Sequence, residues 1–317
     1  MNQQQFMSFL LLFSFFTSCQ KEEPELIAVP INATPPLSIE AESIDFAVIG
    51  DFGMEGDNAL NVSNLVKSWD PDFVLTVGDN NYYDGEFSTI GKNIGQYYCD
   101  FIYNPDSPAE ERCEGPATQS EQNRFFPSLG NHDQSSANDT RPYEAFFSLP
   151  GNEIFYDFEW GPVHFFALNS GQDTDHECCE SEQAVWLRRK LTASTKTFKV
   201  VYFHHPPYSS GKHGSDEAMQ WPFKEWGADA ILSGHDHNYE RINEKGNPDF
   251  VYFVNGLGGK SIRDCGVNSL DESRFDSFCY NEDYGAMYCT ASAEELRFRF
   301  FEVGNNAHPV DEFVIYK

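Results

Sequence analysis

The sequence predicts an α/β fold of mixed type, in which two packed mixed β-sheets are flanked by helices. Short apolar and β-branched runs recur along the chain, which is typical of buried strands. Segments with helical periodicity separate several of these runs, and this alternation favours the α/β class. The last two runs, residues 296–303 and 313–316, follow one another without a helix. Two mixed sheets are therefore expected in place of one parallel sheet.

The predicted elements can be placed along the chain in order. Earlier strands are predicted at residues 44–49, 73–77, 125–129, 163–168, 198–203, 230–232 and 251–254. Helices are predicted at residues 58–69, 182–191 and 215–226, and the second of these carries Ala184, Leu187 and Leu191 on one face. No internal repeat or further boundary is visible after residue 43, so residues 44–317 are expected to form one domain.

The composition is that of a globular, strongly acidic protein. Its 317 residues are 40% hydrophobic and 15% aromatic, which is ample for a sizeable core. There are 50 acidic residues against 21 basic ones, giving a formal net charge of −29. This charge excludes a general attraction to nucleic acid or to anionic lipid surfaces. An anionic ligand would need local positive charge, and metal ions are the obvious source.

The N-terminus has the features of an export signal. Its apolar stretch, residues 6–16, is too short to span a membrane and leads into Thr17, Ser18 and Cys19. This pattern resembles a bacterial lipoprotein signal, which implies that residues 1–18 are removed and that Cys19 becomes a lipid anchor. An ordinary cleaved secretory signal is the alternative. Residues 19–43 are acidic and rich in proline, so they are expected to form a tether.

The resemblance implies an exported protein whose contact with the membrane is through the lipid at Cys19. Residues 20–25, QKEEPE, are also similar to the acidic export tag of surface lipoproteins in some Gram-negative bacteria. We therefore expect an outer-membrane or cell-surface location, and otherwise a periplasmic or secreted one.

The cysteine content is consistent with export. Of the eight cysteines, Cys19 would carry the lipid, which leaves seven in the exported domain. An odd number cannot all pair within the chain, and the neighbours Cys178 and Cys179 are poor partners for each other. Proximity in sequence suggests that Cys99 pairs with Cys113 and that Cys265 pairs with Cys279 or Cys289.

Polar side chains follow several predicted strands at the point where each strand ends. These side chains are Asp51 in GDFG, Asp79 and Tyr82 in GDNNYY, Asn131 and His132 in GNHD, His204 in FHHPP, and His235 and His237 in GHDH. Loops at one edge of a sheet converge, and sites in α/β folds lie at the carboxyl ends of strands. Asp, Asn and Tyr supply oxygen ligands and His supplies nitrogen, so the sequence predicts a site for two metal ions.

In chain order the motifs are GDxG, GDxxY, GNHx, VxxH and GHxH. This order resembles the calcineurin-like metallophosphoesterase superfamily, over well more than half of the chain. The tyrosine of GDxxY makes the chain similar to the purple acid phosphatases, and GDNNYYDG with GNHD resembles their small, tartrate-resistant type. The resemblance implies a four-layer metallophosphoesterase sandwich and makes residues 44–317 the catalytic domain.

The resemblance also implies which residues bind metal. One metal ion would be bound by Asp51, Asp79, Tyr82 and His237, and the other by Asp79 as a bridge, Asn131, His204 and His235. The implied ions are Fe3+ at the tyrosine site and Fe2+, Zn2+ or Mn2+ at the second. His205 follows a ligand in a segment that we expect to be extended, so its side chain should face away from the site. Asp133 is expected to orient a neighbouring group.

The implied reaction is the hydrolysis of phosphate monoesters of small molecules, with metal-bound hydroxide as the nucleophile. His132 is the first candidate for a phosphate ligand or general acid, and His213 in GKHGS is the second. Two alternatives stay open. The same metals would serve a phosphodiesterase or nucleotide hydrolase, and the fold could belong to a non-catalytic surface lipoprotein. The sequence predicts neither the natural substrate nor the oligomeric state.

Overall fold

The structure, a computed structural model, describes residues 37–105, 113, 120–134, 139–171 and 180–317. The predicted signal, the anchor residue Cys19, most of the predicted tether, and Cys178 and Cys179 lie outside the described residues. The described residues all belong to one compact unit. In this part of the chain, no helix is long and apolar enough to cross a membrane.

The described chain consists mainly of strands joined by short helices. The strands are β1 (Ser38–Ile39), β2 (Ile44–Ile49), β3 (Phe73–Thr76), β4 (Phe125–Pro127), β5 (Tyr156–Trp160), β6 (Val163–Ala167), β7 (Phe198–Tyr202), β8 (Ala230–Ser233), β9 (Tyr239–Glu244), β10 (Val251–Asn255), β11 (Phe275–Tyr280), β12 (Gly285–Ala291), β13 (Glu295–Glu302) and β14 (Asp311–Tyr316). The helices are α1 (Asp57–Ser68), α2 (Phe87–Ile90), α3 (Gln96–Tyr98), α4 (Arg141–Phe146), α5 (Glu182–Ala193) and α6 (Phe223–Trp226). A π-helical segment, Gly91–Gly95, joins α2 to α3, and a 3-10 turn, Glu217–Met219, precedes α6.

The strands form two mixed sheets, as predicted. The larger sheet has the order β1-β5-β6-β7-β8-β10-β9-β11, and the smaller has the order β14-β13-β12-β2-β3-β4. In the larger sheet β6, β7, β8 and β10 are parallel, whereas β9 runs antiparallel between β10 and β11. In the smaller sheet β2, β3 and β4 are parallel, and β12 is antiparallel to β2. The carboxyl ends of the parallel strands therefore meet at one edge of each sheet.

Aromatic side chains fill the space between the two sheets. Phe46 on β2 lies against Phe165 on β6, with ring centroids 5.2 Å apart. Phe126 on β4 stacks on Phe158 of β5 at 4.0 Å. All four rings are fully buried, and burying an aromatic side chain contributes roughly 1.5–3 kcal/mol. This shared core fixes the two strand edges relative to each other.

Helix α5 covers the outer face of the larger sheet. Ala184, Leu187 and Leu191 are buried, as the sequence predicted. Ser181 caps the helix by accepting the backbone N–H of Ala184 at 3.1 Å, which satisfies one of the free donors of the first turn. Helix α1 packs against β12 of the smaller sheet. The fold therefore has two sheets between outer helices.

Two predicted segments differ from the structure. The helix predicted at residues 215–226 is only a 3-10 turn followed by the single turn α6. Pro222 lies between them, and proline both lacks a backbone N–H and displaces the preceding residue from helical angles. The predicted tether also ends before residue 43, because Ser38 and Ile39 pair in parallel with β5 at the edge of the larger sheet.

The structure joins two of the predicted cysteine pairs. Cys99 bonds to Cys113, and Cys265 bonds to Cys279. Cys289 carries a free thiol in the described part of the chain and is buried on β12. Of the two partners considered for Cys265, Cys279 is therefore the one that it meets.

Candidate metal centre

Two buried carboxylates lie at the ends of adjacent strands in the smaller sheet. Asp51 follows β2 and Asp79 follows β3. The Tyr82 hydroxyl donates to Asp79 Oδ2 at 2.7 Å and lies 3.2 Å from Asp51 Oδ1. His237, which follows β8 of the larger sheet, places Nε2 3.3 Å from Asp51 Oδ1. These are the four side chains predicted for the first ion, and the fold brings them together.

A second group of donors lies on the other side of Asp79. Its Oδ1 is 3.2 Å from Nε2 of His204, which lies two residues after the end of β7. The same His204 nitrogen is 3.1 Å from Asn131 Oδ1 and 3.2 Å from His235 Nδ1. These side chains are the set predicted for the second ion. Asp79 thus has one oxygen directed at each group.

The backbone is strained at three of these positions. Asp51, Asp79 and His235 have φ angles of 52°, 53° and 69°, in the left-handed region that favours glycine. Such a conformation costs roughly 1–3 kcal/mol per residue and persists only where the surroundings fix it. The concentration of this strain at the ligand cluster is typical of a functional site.

Close contacts between the motif loops explain why glycine precedes the ligands in these motifs. A Cβ atom on Gly78 would lie 2.6 Å from Nδ1 of His204. A Cβ atom on Gly130 would lie 2.2 Å from the backbone nitrogen of Asp79. Real Cβ atoms do not approach so closely, so these loops can converge only with glycine in both places.

Further hydrogen bonds orient the imidazole rings. Nδ1 of His204 lies 2.9 Å from the carbonyl oxygen of Val77, which leaves Nε2 for the carboxylate of Asp79. Nδ1 of His237 contacts the hydroxyl of Ser261 in the same way. Fixing one ring nitrogen through an outer partner is the usual way in which proteins aim the other nitrogen at a metal.

The electrostatics of the centre follow from burial and from close charges. Burial raises the pKa of Asp79, but the adjacent His204 outweighs burial and holds that pKa well below its ordinary value. Burial lowers the pKa of His204, but Asp79 raises it to about 9. Burial and the carboxylates of Asp51 and Asp79 raise the pKa of the Tyr82 phenol far above its usual range.

The donor set fits a bound cation. Buried charges in proteins are paired or coordinate metals, and here carboxylate, phenol, amide and imidazole donors converge. The ligand atoms of Asp51, Asp79 and His237 all lie within 4.8 Å of one another. A cation in this cluster would also offset the cost of ionising Tyr82. These residues therefore form a candidate metal-binding site.

His132 and His213, the predicted acid candidates, both border the ligand cluster. The His132 backbone donates to Asp79 Oδ1 at 2.9 Å, its Nδ1 lies 2.6 Å from the Tyr83 carbonyl oxygen, and its ring is 4.5 Å from that of Tyr82. The ring of His213 lies 4.2 Å from that of His235 at the other end. Burial and the Arg263 guanidinium lower the pKa of His213.

His205 differs from its predicted orientation. Its ring lies 4.5 Å from the ring of His235 and 5.0 Å from that of His204, so it does not face away. Strand β7 ends at Tyr202 and the chain bends at His204 and His205, so the alternation of an extended segment does not apply there. Burial and the charge of His204 lower the pKa of His205 to about 3, which keeps the ring neutral.

Asp133 holds two of the motif loops together, in agreement with its predicted orienting role. Its carboxylate accepts the backbone N–H of Asn80 at 2.9 Å and that of Gly130 at 2.7 Å. Burial raises the pKa of Asp133 to about 6, and the charge of Asp79 adds to that effect. The Asp133 carboxylate therefore joins the loop that carries Asp79 to the loop that carries Asn131.

Sequence reasoning missed the loop after β10, which has the sequence GLGGKSIR. Its Lys260 backbone donates to the Asp51 carbonyl oxygen at 3.0 Å, and its Arg263 backbone donates to the His237 carbonyl oxygen at 2.8 Å. Ser261 contacts Nδ1 of His237. A glycine-rich loop with two cations, directly after a buried strand in so acidic a chain, is a signal that the sequence already contained.

Known proteins are similar to this chain in sequence. The family model for calcineurin-like phosphoesterases matches residues 44–239. Purple acid phosphatase 15 of Arabidopsis thaliana is 29% identical over 246 residues, which cover 67% of this chain and 44% of that protein. Purple acid phosphatase 4 of Arabidopsis thaliana is 26% identical over 336 residues, which cover 96% of this chain and 92% of that protein. The chain spans less than half of the length of the first of these relatives.

Solved structures agree with the fold. A purple acid phosphatase isolated from yellow lupin (Lupinus luteus) seeds has a TM-score of 0.68 and 17% identity, covering 89% of this chain and 55% of that one. GAP50, the anchor in the inner membrane complex of Plasmodium, has a TM-score of 0.61 and 16% identity, covering 87% of this chain and 90% of that one. At these identities the likeness shows the fold alone.

Proposed function

Since this chain belongs to the calcineurin-like phosphoesterase family, we propose that it is a phosphomonoesterase with a dinuclear metal centre. The observation that carries the proposal is the position of Asp79 between two groups of donors. Its Oδ2 lies 2.7 Å from the Tyr82 hydroxyl and its Oδ1 lies 3.2 Å from Nε2 of His204. A carboxylate with one oxygen toward each group has the arrangement of a bridging ligand.

The remaining ligand candidates divide between the two ions. Asp51, Tyr82 and His237 would complete the first site, and Asn131, His204 and His235 would complete the second. A phenolate at the first site favours a hard ion such as Fe3+, with Fe2+, Zn2+ or Mn2+ at the second. When bound, the two ions would supply positive charge for a phosphate group and would lower the pKa of a water molecule.

His132 is the better candidate for the general acid. The carbonyl oxygen of Tyr83 can only accept, so Nδ1 of His132 donates to it and Nε2 is left for the substrate. The other candidate, His213, has its Nε2 in contact with the guanidinium of Arg263, which can only donate. His213 therefore suits a role in binding substrate. His132 suits proton delivery to the leaving alkoxide when its ring carries a proton on Nε2 as well as on Nδ1.

His205 suits a supporting role. Its Nδ1 lies 2.8 Å from the Ser170 hydroxyl, and its ring packs against His235. A neutral ring in that position would limit the movement of His235 without adding charge.

The experiment that tests the proposal is a comparison of two substrates on the metal-loaded protein. We expect hydrolysis of p-nitrophenyl phosphate to exceed that of bis-p-nitrophenyl phosphate, with an acidic optimum. A preference for the diester would favour a phosphodiesterase of the same family. The absence of turnover with both esters would favour a non-catalytic role.

Export and lipid attachment are proposed as well. Two disulfides, Cys99–Cys113 and Cys265–Cys279, support an oxidising compartment, since such bonds are rare in the cytosol. Labelling of cells with a radioactive fatty acid should mark the full chain, and Cys19→Ser should remove the label. A wild-type chain without label would exclude the anchor.

A further inference from the structure

Two cations at the edge of the metal centre have no carboxylate partner in the part of the chain that the structure describes. The Lys260 ammonium lies 4.0 Å from the centre of the Tyr83 ring, 4.9 Å from that of Tyr82 and 2.9 Å from the sulfur of Met54. The Arg263 guanidinium contacts Nε2 of His213. In a chain with 50 acidic residues, cations that lack acidic partners beside a functional site are available to a ligand.

The positions of these cations are fixed by the backbone that carries them. Lys260 and Arg263 are bonded through their backbone nitrogens to the carbonyl oxygens of Asp51 and His237. Two residues after Arg263, the disulfide between Cys265 and Cys279 ties the end of this loop to β11. The loop is therefore attached to the ligand residues themselves, and its two cations keep a set distance from them.

Both cations lie outward of the ligands. Lys260 stands over the faces of Tyr82 and Tyr83, and the Tyr83 side chain is 59% exposed, so this side is open to solvent. Arg263 lies beyond His213, whose ring covers His235. A phosphate held at the ligand cluster would leave the rest of the substrate between these two sides.

The charge of the chain indicates what the cations would bind. A net charge of −29 repels every additional negative charge on a substrate, and local cations can offset this repulsion. Arginine matches the geometry of phosphate through paired N–H donors, and lysine binds phosphate as a point charge. We propose that Lys260 and Arg263 bind a second phosphate group, so that the preferred substrates are bisphosphorylated. This inference rests on the proposed phosphomonoesterase function.

The test compares fructose 1,6-bisphosphate with fructose 6-phosphate on the metal-loaded full chain. We expect the wild type to have the higher kcat/KM on the bisphosphate, and Lys260→Met and Arg263→Met each to reduce that preference at least fivefold, mainly through KM. Lys260→Arg and Arg263→Lys should retain most of the preference. Arg189→Met, which removes an exposed charge on α5, is the matched control and should leave the preference for the bisphosphate unchanged.

Other outcomes would overturn the inference. An equal loss on both substrates would mean that the cations act on the reacting phosphate, and an unchanged preference would mean that they bind no second phosphate. If the wild type hydrolyses neither fructose phosphate, calorimetry of pyrophosphate and phosphate binding decides the inference separately, and the proposed function fails only if p-nitrophenyl phosphate is not hydrolysed either. If the wild type binds pyrophosphate more tightly than phosphate, and if Lys260→Met and Arg263→Met each abolish this difference, the inference is supported. Equal affinity of the wild type for the two anions would refute it.

Discussion

Nε2 of His204 lies 3.2 Å from Oδ1 of Asp79, and this contact joins the larger sheet to the smaller one at the metal centre. His204 follows β7 and Asp79 follows β3, so neither sheet could form the centre alone. The shared aromatic core between the sheets therefore sets the distances on which the candidate ligands depend.

Removal of the bridging carboxylate should separate the two ions. We expect Asp79→Asn to lose at least one ion and to reduce phosphate release by more than about a hundredfold, since even outer-shell changes at metal sites cost 10–100-fold. Metal content measured by mass spectrometry, together with the hydrolysis rate, checks this. Asp84→Asn, at an exposed carboxylate of the same loop, should retain both ions. An Asp79→Asn protein with two ions and full activity would refute the bridge.

The phenol of Tyr82 should give the iron-loaded protein a visible absorption band. Its hydroxyl contacts both Asp79 and Asp51, so a ferric ion bound there would be coordinated by the phenolate. Tyr82→Phe should abolish the band without unfolding the protein, while Tyr83→Phe should leave it intact. Iron-loaded wild type without any such band would exclude iron at this position.

The glycine that precedes Asn131 should resist substitution. A Cβ atom on Gly130 would meet the Asp79 backbone, so Gly130→Ala should lower the free energy of unfolding by about 1–3 kcal/mol and weaken metal binding. Gly91→Ala is the control, because a Cβ atom there meets nothing within 4 Å and lies in a helical segment, where alanine is preferred by about 1 kcal/mol. Urea unfolding of both variants measures the contrast. Equal stability of the two variants would contradict the predicted clash between a Cβ atom on residue 130 and the Asp79 backbone.

A buried ion pair outside the metal centre should make stability depend on pH. Asp157 accepts from His164 at 2.9 Å and pairs with Lys190 at 3.0 Å. Burial raises the pKa of Asp157, but these partners outweigh burial and lower it below its usual value. Because the folded pKa is depressed, the stabilisation is present above the unfolded pKa, about 4, and is lost as the pH falls through the folded pKa.

Asp157→Asn measures that contribution. At pH 7 we expect the variant to be less stable than the wild type by about 1–3 kcal/mol in urea unfolding. The difference should shrink as the pH falls from about 5 toward 3. A difference that stays constant over this range would show that the charge of Asp157 does not contribute.

Most of the fold and the candidate ligands could be predicted because the strands that carry them are buried on both faces. Strands such as β2 and β3 appear in the sequence as continuous apolar runs that end in GD. Strands β9 and β11 lie toward one edge of the larger sheet, and their sequences, YERINE and FDSFCY, are mixed in polarity. Such strands give no apolar run, and no pattern identified them.

Other features depended on tertiary structure. The orientation of His205 depends on a bend that no residue periodicity encodes. The role of Lys260 depends on where the loop after β10 returns to Asp51, which is set by the packing of the two sheets. Local sequence could identify the chemistry of these residues but not their neighbours.

The disulfide between Cys265 and Cys279 constrains the end of the cationic loop but closes a segment that contains none of the candidate ligands. All seven ligand candidates lie outside residues 265–279, which this bond closes, whereas Lys260 and Arg263 lie on the loop just before them. A newly folded, reduced chain could therefore load metal before its cationic loop is locked. If Lys260 and Arg263 select the substrate as proposed, reducing agents should alter that selection while sparing the metal.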